Sequence, residues 1–148
     1  MKTLSYLLLI LVASLTACKK NNTELQSEQK PDVINIQANL LKMDPNVSPA
    51  AMGILTGTLD LKTNILKFKL TLENIDANIV HIHRGIFPDK GLIEASFSIP
   101  NSHILNDRLL LSQEDASTLA HGGFLLYMDI HISQEEPPQI GGQIVKKD

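Results

Sequence analysis

The stretch Ile65 to Glu73 reads ILKFKLTLE, and apolar and polar side chains alternate along it. Leu66, Phe68, Leu70 and Leu72 share one face, whereas lysine, threonine and glutamate side chains occupy the other. Successive side chains of a β-strand point to opposite faces of a sheet, so this two-residue period predicts a half-buried antiparallel strand.

A second apolar run precedes this strand at hairpin distance. Gly53 to Leu61 reads GILTGTLDL, and only three residues, Lys62, Thr63 and Asn64, separate the two runs. A connection of this length favours a β-hairpin. Turn residues bound six further apolar-rich runs, which predict strands over Val33 to Leu41, Ile79 to His83, Leu92 to Ile99, Ile104 to Leu111, Phe124 to Ile132 and Ile140 to Val145.

One short helix is expected among these strands. Ser112 begins a capping pattern, because its hydroxyl can accept from the amides of the next turn and Asp115 follows three residues later. The helix runs to about His121, where Gly122 and Gly123 suit a helix C-terminus. Eight short strands with one helix predict an all-β fold, an antiparallel Greek-key β-sandwich or barrel, over residues 33–148.

The overall composition excludes several functional classes. The 148 residues carry 13 Lys and Arg against 16 Asp and Glu, with no block of cations. Nucleic-acid binding therefore lacks its usual electrostatic support, and no nucleic-acid partner is expected. The single cysteine excludes an intrachain disulfide framework and a cysteine-rich zinc site. The sequence contains no nucleophile elbow and no phosphate-cradling glycine loop.

The N-terminus has the layout of a secretory leader. Residues 1–17 combine one cation, an apolar run and small residues before Cys18, and they are too short to span a bilayer as a helix. The LTAC sequence ending at Cys18 resembles a bacterial lipobox, in which the cysteine carries acyl chains such as palmitate and becomes the first mature residue. A free thiol near a conventional cleavage site is the alternative. Residues 18–32 would then hold the lipidated cysteine and a flexible polar tether.

This leader predicts a lipid-anchored protein of the bacterial cell envelope that faces the periplasm or the cell surface. Lys19 follows the cysteine, in place of the Asp that retains some lipoproteins in an inner membrane, so an outer membrane is favoured. The expected partners are the membrane, reached through the lipid, and another envelope protein.

The predicted strand Ile79 to His83 carries two histidines on one face. Val80 and Ile82 share the opposite face, because the strand period is two residues. His81 and His83 therefore point the same way.

The strand Phe124 to Ile132 shows the same alternation. Its apolar side chains are expected inward, at Phe124, Leu126, Met128, Ile130 and Ile132. Tyr127, Asp129 and His131 are left on the other face. If the two strands are neighbours, three imidazoles and a carboxylate meet on one surface. Imidazole nitrogens suit zinc and copper, and the acid could orient a ring or complete the coordination.

Other interpretations stay open at these positions. Histidines on the polar face of a strand also hydrogen-bond to loops or contact water without binding a metal. His103 and His121 lie in loop and cap contexts and are interpreted as surface residues. The segment Arg84 to Pro88 is a recognition loop if Ile86 and Phe87 face outward, or a cover if Phe87 packs over the sheet edge.

From about Ile34 to Val145 the chain resembles a CHRD domain, the module named from chordin and found in many bacterial secreted proteins and lipoproteins. The likeness rests on HIH at 81–83 followed by Gly91, on Gly123 followed by LYMDIH at 126–131, and on the closing stretch 137–144. The resemblance implies a β-sandwich in an extracytoplasmic setting, immunoglobulin-like or superoxide-dismutase-like, and it implies no established reaction.

The chain departs from the family pattern at four positions. Gln139 and Gly141 stand where the closing motif has Glu and Arg, Asp129 replaces an Asn, and Ile132 replaces a Thr. An ion pair or a carboxylate ligand in the closing motif is therefore absent, while an acid is gained beside His131.

Together these features predict a non-catalytic binding or structural module. The hypothesis for its site is that zinc or copper binds through His81, His83 and His131, with Asp129 as an auxiliary ligand or orienter. A module that binds partners through its loops and needs no metal is a further option. The alternative is a metal-dependent oxidoreductase, because an H-x-H strand followed by a later strand histidine is similar to copper/zinc superoxide dismutases. The chain lacks the disulfide pair, the second metal set and the C-terminal Arg of those enzymes, so the likeness does not transfer an activity.

Overall fold

The computed structural model describes residues 32–134 and 136–148, so the predicted leader, Cys18 and most of the tether lie outside the described residues. The described chain forms eight strands and one helix, with the bounds β1 Val33–Lys42, β2 Met52–Asp60, β3 Ile65–Glu73, β4 Ile79–Arg84, β5 Leu92–Ser98, β6 Ile104–Leu110, α1 Gln113–Ala120, β7 Leu126–His131 and β8 Ile140–Lys146. Within these two ranges, no helix has the length and apolar character needed to cross a membrane.

The strands pair antiparallel in a single sheet, in the order β5-β4-β7-β8-β1-β2-β3-β6. The sheet curls into a nearly closed barrel whose free edges are β5 and β6. Phe68 on β3 and Phe97 on β5 meet edge to face, with ring centroids 5.5 Å apart, and so link the two halves of the sheet. The predicted all-β antiparallel fold with one short helix is confirmed.

The barrel interior is filled by alternate residues of the strands. In β3 the four side chains predicted to share a face, at Leu66, Phe68, Leu70 and Leu72, are all buried. Strand β1 follows the same alternation from Ile34 to Leu40. Each fully buried side chain of this size contributes about 1.5–3 kcal/mol relative to an exposed one, so the two-residue period is the main specification of the fold.

The N-terminal end of β7 differs from the prediction. The strand begins at Leu126, and Phe124, which was predicted to face inward, is 60% exposed. Gly122 has a φ of +79° and breaks the chain direction after α1, so Phe124 still belongs to the connection rather than to the sheet. Ile132, also predicted inward, lies one residue beyond the end of β7 and is half-buried.

Helix α1 is capped at its N-terminus and is held to the end of β4 by an ion pair. The Ser112 side chain accepts a hydrogen bond from the Asp115 amide at 3.1 Å, as the capping pattern predicts. The buried Asp115 carboxylate pairs with the guanidinium of Arg84, the last residue of β4. Arg84 also donates from Nε to Glu94 on β5 at 2.7 Å. One arginine therefore ties the helix to both strands at this edge of the barrel.

Candidate metal centre

Strands β4 and β7 are adjacent, which is the condition on which the metal hypothesis depends. His81 lies directly opposite Asp129, His83 lies opposite Tyr127, and His131 lies one pair further along, opposite Ile79. The alternate residues of both strands fill the barrel interior. The histidines and Asp129 therefore stand together on the outer face, and we call His81, His83, His131 and Asp129 the histidine cluster.

The ring nitrogens of the cluster converge on one carboxylate oxygen. Nε2 of His83 and Nε2 of His131 each lie 3.1 Å from Oδ1 of Asp129, and Nδ1 of His81 lies 3.9 Å from the same atom. The ligand atoms of His81, His83 and Asp129 all fall within 4.8 Å of one another. His131 joins this group through its contact with Asp129 and through the His81 ring, whose centroid is 4.8 Å away.

The cluster is buried although it lies outside the barrel. The exposed fractions of its four residues range only from 5% to 8%. Sequence periodicity placed these side chains on the polar face of their strands, where water contact was one alternative. The structure instead covers that face with two loops, one between β4 and β5 and one between β7 and β8.

The loop between β4 and β5 is held down by Tyr127 and Gln143. The Tyr127 ring stacks on His83, and its hydroxyl accepts a hydrogen bond from the Gly91 amide at 3.0 Å. Gln143 accepts from the Phe87 amide at 2.8 Å. The Phe87 ring packs at 5.9 Å from that of Tyr127, so Phe87 covers the sheet as one alternative predicted, while Ile86 stays exposed.

Two glycines allow the loop between β4 and β5 to pack closely against the outer face of the sheet. A Cβ at Gly91 would lie 2.1 Å from the carbonyl oxygen of Arg84, and a Cβ at Gly141 would lie 2.7 Å from the Phe87 ring. Contacts that short require backbone or ring displacement, so neither position has room for a larger residue. A side chain at Gly141 would therefore displace the Phe87 ring.

Backbone carbonyls on the far sides of two rings favour the tautomer with its hydrogen on Nδ1. Nδ1 of His83 lies 3.3 Å from the carbonyl oxygen of Gly91, and Nδ1 of His131 lies 2.8 Å from that of Glu136. A neutral imidazole has one N–H and donates only once. Each ring therefore faces two acceptors with one proton. The contact of Nδ1 with its carbonyl is a hydrogen bond when Nδ1 carries the hydrogen, and Nε2 can then direct its lone pair at a cation.

The third ring is biased toward its neutral form. Burial lowers the pKa of His81 below its ordinary value, and the nearby His131 and His83 lower it further, whereas Asp129 acts in the opposite direction. The neutral imidazole is the form that binds a metal. His81 is thus held ready as a ligand near neutral pH.

The remaining candidate residues lie elsewhere in the fold. His121 follows α1 and is exposed, as predicted, with Nδ1 2.6 Å from the Ser117 carbonyl. His103 occupies the turn before β6 and is half-buried. The Glu136 side chain is exposed, and its role at the cluster comes from the backbone. Sequence reasoning did not assign Tyr127 a role, although the alternation placed it on the same face as Asp129 and His131.

One of three comparisons with known proteins gave a match. The family model described as the CHRD domain matches residues 36–144, from within β1 to within β8. The matched span contains the whole histidine cluster and both covering loops. Comparison with curated proteins found no match, and neither did comparison with solved structures. On the strength of the family match over most of its length, the chain belongs to the CHRD domain family.

Proposed function

We propose that this CHRD domain is a binding module of the bacterial cell envelope, anchored by lipid at Cys18, and that it holds one zinc or copper ion in the histidine cluster. His81, His83 and His131 supply imidazole nitrogens, and Asp129 completes the coordination or orients the rings. A nitrogen-rich set of this kind suits zinc and copper, whereas magnesium and calcium prefer oxygen ligands.

The proposal depends on one observation. Nε2 of His83 and Nε2 of His131 both lie next to Oδ1 of Asp129, while Nδ1 of each ring lies next to a backbone carbonyl oxygen. Nitrogen and oxygen ligands lie about 2.0–2.2 Å from zinc, so neighbouring ligands of a tetrahedral ion are about 3.3 Å apart. The two Nε2–Oδ1 distances of 3.1 Å are close to this spacing. Metal-binding histidines usually donate their other N–H to a carbonyl or carboxylate, as Nδ1 of His83 and His131 do if a cation occupies Nε2.

Burial favours a structural or storage role over turnover. A catalytic metal keeps a coordination position open to substrate, whereas a structural metal is closed by protein ligands. The cluster residues are at most 8% exposed and lie beneath two loops. We therefore expect the copper-loaded protein to consume superoxide no faster than the copper-free protein does. Fast consumption would instead support the oxidoreductase alternative.

The first test of metal binding is elemental analysis of the full chain purified without chelator. We expect about one zinc or copper ion per chain, and almost none when His81, His83 and His131 are all replaced by Ala. Equal metal content in the two proteins would contradict the proposal.

The anchor is tested separately by fractionation of cells that produce the full chain. We expect the natural protein in the membrane fraction and the Cys18→Ser variant outside it, because a thioether-linked lipid requires the thiol. If both proteins fractionate alike, the lipobox interpretation of Cys18 is wrong, and this outcome leaves the metal proposal unaffected.

A further inference from the structure

The described chain enters the barrel at one definable end. Val33, the first residue of β1, pairs with Asp60 at the end of β2, and Ile65 at the start of β3 pairs with Leu110 at the end of β6. On the other side of the sheet, Arg84 pairs with both Leu92 and Leu126. The pairing of β2 with β3, and of β8 with β1 and β7, places Val33, Ile65 and Arg84 at the same end of the barrel. We call it the tether end, because residues 18–31 precede it in the sequence.

The tether end carries most of the exposed large apolar side chains of the described residues. Ile86, Leu92 and Phe124 are exposed by 59%, 75% and 60%, and we call these three the apolar rim. The backbones beside Ile86 and Phe124 are linked, because the Gly85 amide donates to the Leu125 carbonyl at 2.7 Å. Leu92 pairs with Arg84, the residue before Gly85. Val33, Ile93 and Leu110 are also exposed at this end.

We infer that the tether end docks on the lipid bilayer, with the apolar rim in the interfacial region of the membrane. This inference rests on the proposed lipid anchor at Cys18. The 13 residues between Cys18 and Asp32, at no more than about 3.6 Å each, limit the separation of domain and membrane to roughly 50 Å. Confinement this close gives the bilayer a high effective concentration, so a few apolar side chains suffice for contact.

The charges at this end are compatible with a lipid surface. Exposed cations at Lys90, Lys146 and Lys147 can reach anionic head groups. Exposed acids at Asp89, Glu114 and Asp148 accompany them, and Asp32 is paired with Lys62 at 2.7 Å. The mixed charge means that the apolar rim, rather than electrostatic attraction, provides the contact. A second copy of the chain is the competing occupant of such a surface.

The test compares two labelled positions at opposite ends of the barrel in the full anchored chain. Leu92→Cys places a thiol in the rim, and Leu41→Cys places one at the far end, where Leu41 is 66% exposed and pairs with Gly141. Under the proposed anchor Cys18 is acylated, so the introduced cysteine is the one free thiol of the sequence. Each protein is labelled with a fluorophore and reconstituted in phosphatidylethanolamine–phosphatidylglycerol vesicles that contain a lipid-borne quencher.

We expect the quencher to reduce fluorescence at position 92 several-fold more than at position 41. Replacing Ile86 and Phe124 by Ser should bring the two positions closer together. Equal quenching in membrane-bound protein would overturn the docking while leaving the anchor intact. Release of the chain into the soluble fraction would overturn the anchor and the docking together. If the fluorescence at position 92 changed with the density of protein on the vesicles and not with the lipid-borne quencher, the rim would contact a second copy of the chain. That result would overturn the inference.

Discussion

The ring of Tyr127 lies parallel to the imidazole of His83, with ring planes 2° apart and centroids 4.6 Å apart. The Tyr127 hydroxyl also accepts from the amide of Gly91, whose carbonyl oxygen lies 3.3 Å from Nδ1 of the same histidine. One tyrosine therefore positions both the His83 ring and the loop segment behind it.

Replacing this tyrosine separates the two roles. Tyr127→Phe keeps the stacked ring and removes the hydrogen bond, so we expect a loss of about 1 kcal/mol in the free energy of unfolding and a several-fold weaker metal affinity. Tyr127→Ala removes the ring as well, and truncating a buried aromatic side chain costs about 3–5 kcal/mol. Denaturant unfolding and metal titration of both variants measure these effects. Equal losses in the two variants would show that the hydroxyl accounts for the whole contribution of Tyr127.

Asp129 is the residue at which the three ring nitrogens converge. In Asp129→Asn the carboxylate charge is lost while the size of the side chain is kept, so we expect the fold to survive and the metal affinity to fall at least tenfold. Isothermal titration with zinc measures the change. Glu136→Gln is the matched control, because the cluster uses only the backbone carbonyl of Glu136. A similar loss of affinity in the control would argue against a specific role for the Asp129 carboxylate.

The lowered pKa of His81 makes the metal-free protein less stable in mild acid. The unfolded chain takes up a proton at His81 near the ordinary pKa of 6.5, whereas the folded chain resists it until a lower pH because of burial and the neighbouring His131 and His83, with Asp129 opposing. The stability contribution is therefore present above pH 6.5 and is lost as the pH falls below it. Urea unfolding between pH 7.5 and 5.5 in the presence of chelator should show this decline.

His81→Gln provides the comparison for that pH profile, since glutamine does not titrate. We expect the variant to show a shallower decline than the natural protein over the same range. Parallel profiles would mean that other groups control stability between pH 7.5 and 5.5.

The contact between Arg84 and Asp115 should matter for the fold and not for the metal. Arg84→Ala leaves the buried Asp115 carboxylate without its partner, so we expect a clear fall in the unfolding midpoint with one metal ion still bound per chain. Adding Asp115→Asn removes the uncompensated charge and should restore part of the midpoint. Thermal unfolding of the single and double variants measures both effects, and a double variant less stable than Arg84→Ala alone would contradict this explanation.

Most of the barrel could be predicted from the sequence because its core obeys a local rule. The alternation from Leu66 to Leu72 specifies which face is buried, whatever strand lies alongside. The same rule placed His81 and His83 together, and Asp129 with His131. Phe124 was predicted wrongly because the alternation continues past the point where the backbone enters the sheet, and only the chain path after α1 determines that point.

The surroundings of the cluster could not be predicted, since they depend on contacts between distant segments. The pairing of β4 with β7 joins residues that are 42 positions apart in the sequence at Arg84 and Leu126 and 52 positions apart at Ile79 and His131. The carbonyl oxygens of Gly91 and Glu136 belong to loops and have no side-chain signature. Those two loops bury the outer face of β4 and β7. The polar residues of that face are therefore covered, although the sequence pattern is equally consistent with exposure to water.

The most direct test of the metal centre is equilibrium dialysis of the folded protein against zinc and against copper. A variant that lacks the two histidines outside the cluster serves as the control. The natural protein and a variant with His103 and His121 replaced by Ala should each bind one ion per chain. The variant with His81, His83 and His131 replaced by Ala should bind essentially none while keeping its β-sheet circular dichroism spectrum. Equal binding by the two histidine variants, or no stoichiometric binding by the natural protein, would contradict the proposed metal centre.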